Sequence, residues 1–593
     1  MKASLKEYKS LLPYLARYRR RYILGLLCLI TVDAAQIAIP QFIRAAIDLI
    51  SSGVFQWKQI IILSLWMLTV MALVCGGRFL WRYFIHGSSR RIETELRENL
   101  FDHLARLSWD FYQKNKIGDL MARSINDLNA VRMAIGMGLV ALFDFIFMAT
   151  AILIIIFVQD ARSAAYSIIP LPFVTVLILL FGSVVGKKFR RAQEAYSNMS
   201  DTVQETFAGI RVIKSFVKEW WFLKKFADTN DDYRRANMEL VRLFGFFFPL
   251  VTFLSALTTL IMLVIGGRRV ILGLMSPGSL VAMFRYLTML IWPLMGAGFT
   301  VNMIQRGAVS LGRVNEILNT EPSIKDIDNP VTGCVQSAVP ALELKNLKFS
   351  YRRDDEKKCL DDISLVINRG EWLGVMGRTG CGKSTLVKTF TRMLDPPPGT
   401  VFVFGRDILE WRLDGLRKLF AVSPQDSYLF SDSIKNNVAY GLGENNSELI
   451  QKAINSSCME ADIAAFTAGR ETLIGERGLS LSGGQKQRTA IARALIMDSE
   501  FLILDDSFSA VDNETERNIL EALLRERKGR TTIIVSHRVS TLRYADNILV
   551  LDKGKISEYG SPSHLAGEGG FYARMAEFQC LTAFGGQPEV QSG

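Results

Sequence analysis

The seven cysteines of this 593-residue chain are odd in number, widely scattered and never paired as CxxC. Cys28, Cys75, Cys334, Cys359, Cys381, Cys458 and Cys580 therefore form neither a disulfide framework nor a cysteine zinc site. No cleavable leader is expected either. The N-terminal segment LKEYKSLLPYLARYRRRY carries charge throughout, and the apolar stretch after it is too long for a signal-peptide core and lacks a small-residue cleavage site. The segment is expected to be retained. Disorder and collagen-like repeats are excluded, because 49% of the residues are hydrophobic. The mean hydropathy of +0.19 is high for a soluble enzyme.

What the chain has instead is long apolar runs. Six stretches, roughly 22–43, 59–85, 134–158, 163–186, 243–267 and 277–303, are long enough to cross a hydrocarbon core of ~30 Å as helices. All lie in the first half. A length prior of ~150 residues per domain points to about four domains, but membrane spans replace soluble cores here and two large units fit better. The formal charge of +12 is unevenly placed: 187–242 holds twelve Lys and Arg residues and 86–132 holds eight. The connections near 44–58, 159–162 and 268–276 are short and hold few, with Arg268 and Arg269 a mild exception. By the positive-inside rule both termini and both long loops face the cytoplasm. The basic excess then belongs to membrane-proximal loops and gives no support for nucleic acid. Helical periodicity persists through those loops, so the membrane helices are expected to extend well into the cytoplasm. Near the N-terminus, Leu5, Tyr8, Leu12 and Leu15 recur at helical spacing, which fits a helix on the membrane surface or an ordinary amphipathic core helix.

Apolar character collapses after about Leu318. The expected layout is a transmembrane domain over 1–320, a Pro- and Asp-rich linker over 321–340, a nucleotide-binding domain over 341–580 and a loose tail over 581–593. In the second domain, short β-rich runs alternate with helical ones, an α/β signature. The run EWLGVMG leads into Gly377-Arg378-Thr379-Gly380-Cys381-Gly382-Lys383-Ser384-Thr385 and then a helical LVKTFTRML. This is GxxxxGK[ST] in the strand–loop–helix setting that gives the motif its meaning: backbone N–H groups cradle phosphates, Lys383 reaches the β- and γ-phosphates and Ser384 ligates Mg²⁺. Downstream, the strand FLILDD delivers Asp505 to a strand end, where it can hold Mg²⁺ through water. A nucleoside triphosphatase follows, and nothing resembles a guanine-specific loop, so ATP is the expected nucleotide.

With Leu481-Ser482-Gly483-Gly484-Gln485 standing before the FLILDD strand, the chain resembles the ATP-binding cassette superfamily. The resemblance implies further roles: Tyr351 as the adenine-stacking aromatic, Gln425 as the Q-loop glutamine and a Mg²⁺ ligand beside Ser384 and Asp505, Ser509–Asp512 as the D-loop, and His537 as the switch histidine. Thr472–Gly478, with Glu476, resembles the exporter-type loop before the signature. Six spans fused ahead of one cassette resemble exporter half-transporters of the type IV fold, with Gly118 and Asp119 in the first coupling loop and Gly209–Phe216 in the second. The implied fold is a membrane α-helical bundle, its six helices extended into the cytoplasm, fused to an α/β P-loop domain. The implied working unit has two chains, each ATP lying between one chain's phosphate loop and the other's LSGGQ, with the bilayer and a small-molecule or lipid substrate as further partners. Lack of a transit-like leader favours a bacterial inner membrane.

One position departs from the family pattern. The residue after the Walker-B aspartate is usually a glutamate that polarises the attacking water, and here it is Asp506. Its reach is shorter by roughly 1.5 Å along an extended chain, and a misplacement of ~1 Å can cost ~100-fold in rate. Hydrolysis at this chain's own phosphate loop is expected to be slow. His537 and LSGGQ are retained, so the chain resembles the weak-site subunit of heterodimeric multidrug-type exporters, whose partner would carry the glutamate. A homodimer in which Asp506 serves as base, and an ATP-gated channel or regulatory subunit, are the alternatives.

Substrate contacts are less legible. Asp33, Asp144 and Arg285 fall inside expected spans, where a charge is costly and faces a bundle interior, a cavity or a partner charge. An ion pair of Arg285 with either aspartate and a substrate contact fit equally. Phe246, Phe247, Phe248, Phe284, Trp292 and Met295 can line an apolar cavity or pack on lipid and neighbouring helices. Arg78 and Arg82 can snorkel. Cys381 inside the phosphate loop reads as a small residue tolerated where backbone does the binding, with a redox switch as the alternative.

Overall fold

The computed structural model describes residues 6–53, 56–327, 330, 339–351, 358–442, 446–475, 478 and 481–583, with the backbone alone at 174, 175, 178, 179, 183, 295 and 581–583. Glu476, Cys334, most of the expected linker after 327 and residues 584–593 of the expected tail lie outside the described residues. Two compact units result: Met1–Leu107 with Phe111–Glu321, and Ser108–Asp110 with Pro322–Gly593.

The first unit is helical. Its long elements are α1 (Arg19–Ser51), α2 (Trp57–Arg106), α3 (Ile117–Ile168), α4 (Pro170–Ala208), α5 (Glu219–Ile271) and α6 (Pro277–Leu318). Among the described residues, α1, α2, α3, α5 and α6 are each long and apolar enough to cross a membrane. The expected span 163–186 is divided between the end of α3 and the start of α4. Within α3, Asp160 is non-helical (φ −160°, ψ 96°), which puts a break where the sequence suggested a short turn. α2 runs to Arg106 and α4 to Ala208, far past their apolar stretches.

Polar bonds tie these helices together where the backbone is weakest. Pro40 interrupts the ladder of α1 because it has no N–H. One turn away the Tyr286 hydroxyl of α6 donates to the Ile37 carbonyl at 2.8 Å and accepts from Gln41 at 2.9 Å. Asp48 of α1 accepts from the Gly278 N–H and the Ser276 hydroxyl, both at 2.8 Å, and so fixes the start of α6. The N-terminal segment packs rather than floats: Leu11 is fully buried, the Tyr8 hydroxyl donates to the Ile304 carbonyl at 2.8 Å, and Asn315 donates to Glu7 at 3.0 Å. Three π-turns, Arg82–His86, Arg123–Asp127 and Ala134–Gly138, interrupt α2 and α3. Such bulges often mark functional sites.

The second unit has two sheets. β1 (Leu342–Phe349), β2 (Leu360–Ile367), β4 (Val401–Val403) and β5 (Arg406–Asp407) form an antiparallel sheet in the order β2-β1-β4-β5. β3 (Trp372–Gly377), β6 (Phe420–Ser423), β7 (Phe501–Asp505), β8 (Thr531–Val535), β9 (Asn547–Asp552) and β10 (Lys555–Gly560) form the other, in the order β10-β9-β3-β8-β7-β6. All its pairs are parallel except β9–β10. The alternation of strand side chains divides its residues between two cores. Leu373, Val375, Ile503 and Ile533 enter the core shared with the antiparallel sheet, while Trp372, Met376, Leu502, Leu504 and Ile534 enter the opposite, helix-covered core.

The α1–α6 junction leaves no room for a larger side chain at Gly278. A Cβ at Gly278 would lie 2.3 Å from the Arg44 carbonyl oxygen and 2.6 Å from Asp48 Oδ1. Gly278→Ala is expected to destabilise the membrane unit by about 1–3 kcal/mol, seen as a lower thermal midpoint of the purified chain. An unchanged midpoint would contradict this packing.

Candidate functional site

The C-terminal ends of β3, β7 and β8 converge on one cavity of about 260 Å³. β3 ends at Gly377, and the loop that follows enters α7 (Lys383–Phe390). Gly380 (φ 80°) and Gly382 (φ 109°) adopt left-handed backbone that other residues rarely tolerate, and a Cβ at Gly382 would come within 2.9 Å of the Cys359 carbonyl oxygen. The loop therefore needs glycine for shape. Its N–H groups gather at the start of α7, where a helix leaves donors without intrahelical partners. Lys383 Nζ curls back to donate to the carbonyls of Gly377 (2.8 Å) and Arg378 (3.1 Å).

The walls of the cavity include Thr379, Gly380, Gly382, Lys383, Ser384, Thr385, Gln425, Asp505, Asp506 and His537. Gly377, Arg378 and Cys381 do not reach its lining; Cys381 is buried beneath the loop, and the Arg378 guanidinium lies 5.9 Å from the Phe571 ring centroid. Tyr351 is exposed, sits edge-on to Phe349, and its hydroxyl shares a 3.0 Å hydrogen bond with Thr385 Oγ1. Two residues the sequence reading passed over also line the cavity: Val535, at the end of β8, and Cys359, whose Sγ lies 3.3 Å from Thr385 Oγ1. Only tertiary packing brings Cys359 there, so no motif marks it.

Electrostatics follow from burial. Asp505, 8% exposed, is pushed above the usual carboxylate range by burial, with the Asp506 charge adding to the rise and a hydrogen bond to Ser384 opposing it. Burial pulls His537 below the ordinary imidazole value, helped by Lys383 and opposed by Asp506 and Asp505. The His537 carbonyl accepts from Gln579 at 2.8 Å, which anchors its loop to the C-terminal helix. Asp506 has φ +48°, and its N–H donates to the Val535 carbonyl at 2.9 Å. Aspartate is enriched several-fold over most residues in that left-handed region, so the local backbone suits the shorter acid.

Ser482, Gly483, Gly484 and Gln485 do not line this cavity. Ser482 caps α8 (Gly483–Leu495): its Oγ accepts from the Gln485 N–H at 3.3 Å, and Gln485 Oε1 accepts from the Ser482 N–H at 2.9 Å. Gln487, not singled out in the sequence, bonds Ser509 Oγ and the Ala510 N–H, both at 2.7 Å, and so joins α8 to the 509–512 segment.

The membrane unit has a separate cavity of about 720 Å³. Asp33, Asp144, Arg78, Arg82 and Trp292 are on its wall; Arg285 is exposed and not on it, so the Arg285 pairing is not formed. Arg78, on that wall, donates to Gln36 at 3.1 Å. Phe247 is buried against Phe181, while Phe246 and Phe248 are exposed; the Met295 side chain lies outside the described residues.

A helical membrane unit and a P-loop α/β unit in one chain define an ATP-dependent membrane transporter. Residues 22–294 match the ABC transporter transmembrane region and residues 360–509 the ABC transporter family. The chain is 36% identical to the probable multidrug resistance ABC transporter ATP-binding/permease protein YheI of Bacillus subtilis, over 97% of each chain. It is 32% identical to the multidrug resistance-like ATP-binding protein MdlA of Escherichia coli, over 98% of each. It is also 30% identical to an ATP-dependent lipid A-core flippase of Syntrophus aciditrophicus, over 96% of this chain and 94% of that one. A bacterial Atm1-family ABC exporter solved with ATP bound superposes with a TM-score of 0.78 at 25% identity, over 95% of this chain and 99% of that one. The chain belongs to the ABC transporter family. It is a multi-pass membrane exporter of the multidrug or lipid-flippase type, with a cytoplasmic ATPase cassette.

The His537 environment gives a direct check. Burial and the Lys383 charge both disfavour imidazolium, so in the nucleotide-free chain His537 is expected to stay neutral until the pH falls below about 6.5, the unperturbed value. NMR of ring-labelled histidine in the full-length protein, which has four histidines, reads this. A His537 resonance titrating at or above that value would contradict the site's electrostatics.

Proposed function

We propose that the chain is one half of a dimeric exporter that moves a small or amphipathic molecule out of the cytoplasm or inner leaflet, and that its own ATP site hydrolyses slowly beside a faster site on a non-identical partner. Asp506 carries the proposal. At this position the family usually has a longer acid, and here the cavity wall carries the shorter aspartate.

The roles divide as follows. Glycine-loop N–H groups and Lys383 bind the polyphosphate, and Tyr351 releases Thr385 to stack on adenine. Ser384, Gln425 and Asp505 offer a hydroxyl, an amide oxygen and a carboxylate, the hard oxygen donors that suit Mg²⁺, which would neutralise the phosphates. Their place on one cavity wall supports this fit. His537, neutral and beside Lys383, can donate to a terminal phosphate. Asp506 puts a carboxylate on the cavity wall, but its side chain is one methylene shorter than the usual glutamate, which shortens its reach toward an attacking water. Ser482–Gln485, lying away from this chain's own cavity, are free to cover the partner's nucleotide. ATP then favours the closed cassette pair because it contacts both chains, and hydrolysis removes that differential affinity.

If the partner site turns over fast, Asp506→Glu in the assembled transporter raises ATPase activity by only about twofold, the gain from a second working site. If both sites are slow, the same change gives up to ~100-fold. An unchanged rate removes the argument from reach. ATP-driven uphill accumulation of substrate in inside-out vesicles separates a pump from an ATP-gated channel, which can only dissipate a gradient.

A further inference from the structure

The loop that carries His537 is held by a helix that does not line the nucleotide cavity. His537 is on the cavity wall, but its ring takes no hydrogen-bond partner among the described residues, so its place there depends on its backbone. Gln579 of α9 (Phe571–Ala583) grips that backbone at two points: Nε2 donates to the His537 carbonyl and Oε1 accepts from the Val539 N–H, both at 2.8 Å. Val539 opens a short helical turn, Val539–Leu542, that has no side-chain cap of its own, and Gln579 satisfies one of its free donors. Between the two points, Arg538 serves the 509–512 segment: its guanidinium donates to the carbonyls of Ser509 (3.1 Å) and Val511 (3.0 Å) and pairs with the buried Glu516.

The helix is well anchored for this grip. Glu558 of β10 accepts from the Phe571 and Tyr572 N–H groups at its start, and Tyr572 is buried in the helix-covered core, against which Met575 and Val539 also pack. At its first turn the Phe571 ring lies 5.9 Å from the Arg378 guanidinium of the phosphate loop. One helix therefore touches both the phosphate loop and the His537 loop from outside the cavity.

We propose that Gln579 is a positioning residue for ATP hydrolysis: it sets the backbone of the His537 loop so that the ring faces the terminal phosphate, without touching nucleotide itself. The inference rests on the reading of His537 above as a donor to that phosphate. Loss of the amide frees the His537 carbonyl and the Val539 N–H together, and the ring then samples several places instead of one. Binding, which the phosphate loop dominates, is largely spared. The step that needs a placed donor is not.

Orthovanadate traps the ADP product of a photoreactive azido-ATP in a site that has just turned over, and light then marks the chain that holds it. This chain's own site is thereby read in the full transporter, whatever its partner. All variants carry Asp506→Glu, which gives the site a base of the usual length. Gln579→Met, which keeps the length of the side chain, is expected to slow trapping by about tenfold, with the half-saturating analogue concentration within about twofold; His537→Ala is expected to slow it about 100-fold. In the His537→Ala background, Gln579→Met is expected to add less than about twofold, because both act through one ring. Unchanged trapping in Gln579→Met, or the same loss with and without His537, overturns the proposal. If Gln579→Met fails to bind ATP, Gln579→Ala takes its place. If His537→Ala alone leaves trapping unchanged, the reading of His537 fails and this inference falls with it; a slow His537→Ala beside a normal Gln579→Met counts against this inference alone. If no variant traps ADP, NMR of ring-labelled histidine decides. The His537 resonance is expected to move in Gln579→Met while those of His86, His103 and His564 stay, and an unmoved His537 resonance overturns the proposal.

Discussion

The register of three parallel strands is the constraint on which the cassette depends. β3, β8 and β7 pair so that Val375 faces Val535, and Asp505 faces Val535 from the other side. This brings the strand ends to one edge, and the phosphate loop, the two aspartates and His537 all leave from it. Both faces of the trio are buried, with alternate side chains committed to different cores, so a slip of one residue would invert every one of them. The site is thus held largely by the apolar packing of the strands on both faces. The Asp506 N–H bond to the Val535 carbonyl extends the same ladder one residue past the strand and sets the left-handed turn.

That turn helps explain the departure at position 506. A glutamate there carries a longer side chain on backbone that favours aspartate or asparagine, whereas aspartate fits the backbone and gives up reach. The membrane unit shows a parallel trade. Asp33 is 1% exposed at a position where an apolar residue would pack at less cost, and it shares its cavity wall with Asp144 and Arg78.

Much of this was legible in the sequence, for identifiable reasons. The phosphate loop follows from local rules, because glycine at 380 and 382 answers to backbone angles and Lys383 to its fixed offset from them. The long spans follow from hydropathy, and the break at Asp160 lies where apolar character lapses. Tertiary facts were not legible. Cys359 reaches the cavity from a different sheet, Leu11 and Tyr8 dock on a helix about 300 residues away in sequence, and Arg78 takes Gln36 as its partner while Arg285 does not join the aspartates. Periodicity names a face of a helix, but not what will meet it.

The central claim is that this chain works beside a different one. It is tested most directly by the native mass of the complex purified through this chain from its own source membrane, corrected for bound detergent and lipid. One 66.6 kDa chain together with one chain of different sequence, bearing glutamate at the position of Asp506, is the predicted result. Two copies of the 66.6 kDa chain would contradict it, because both ATP sites would then rely on Asp506.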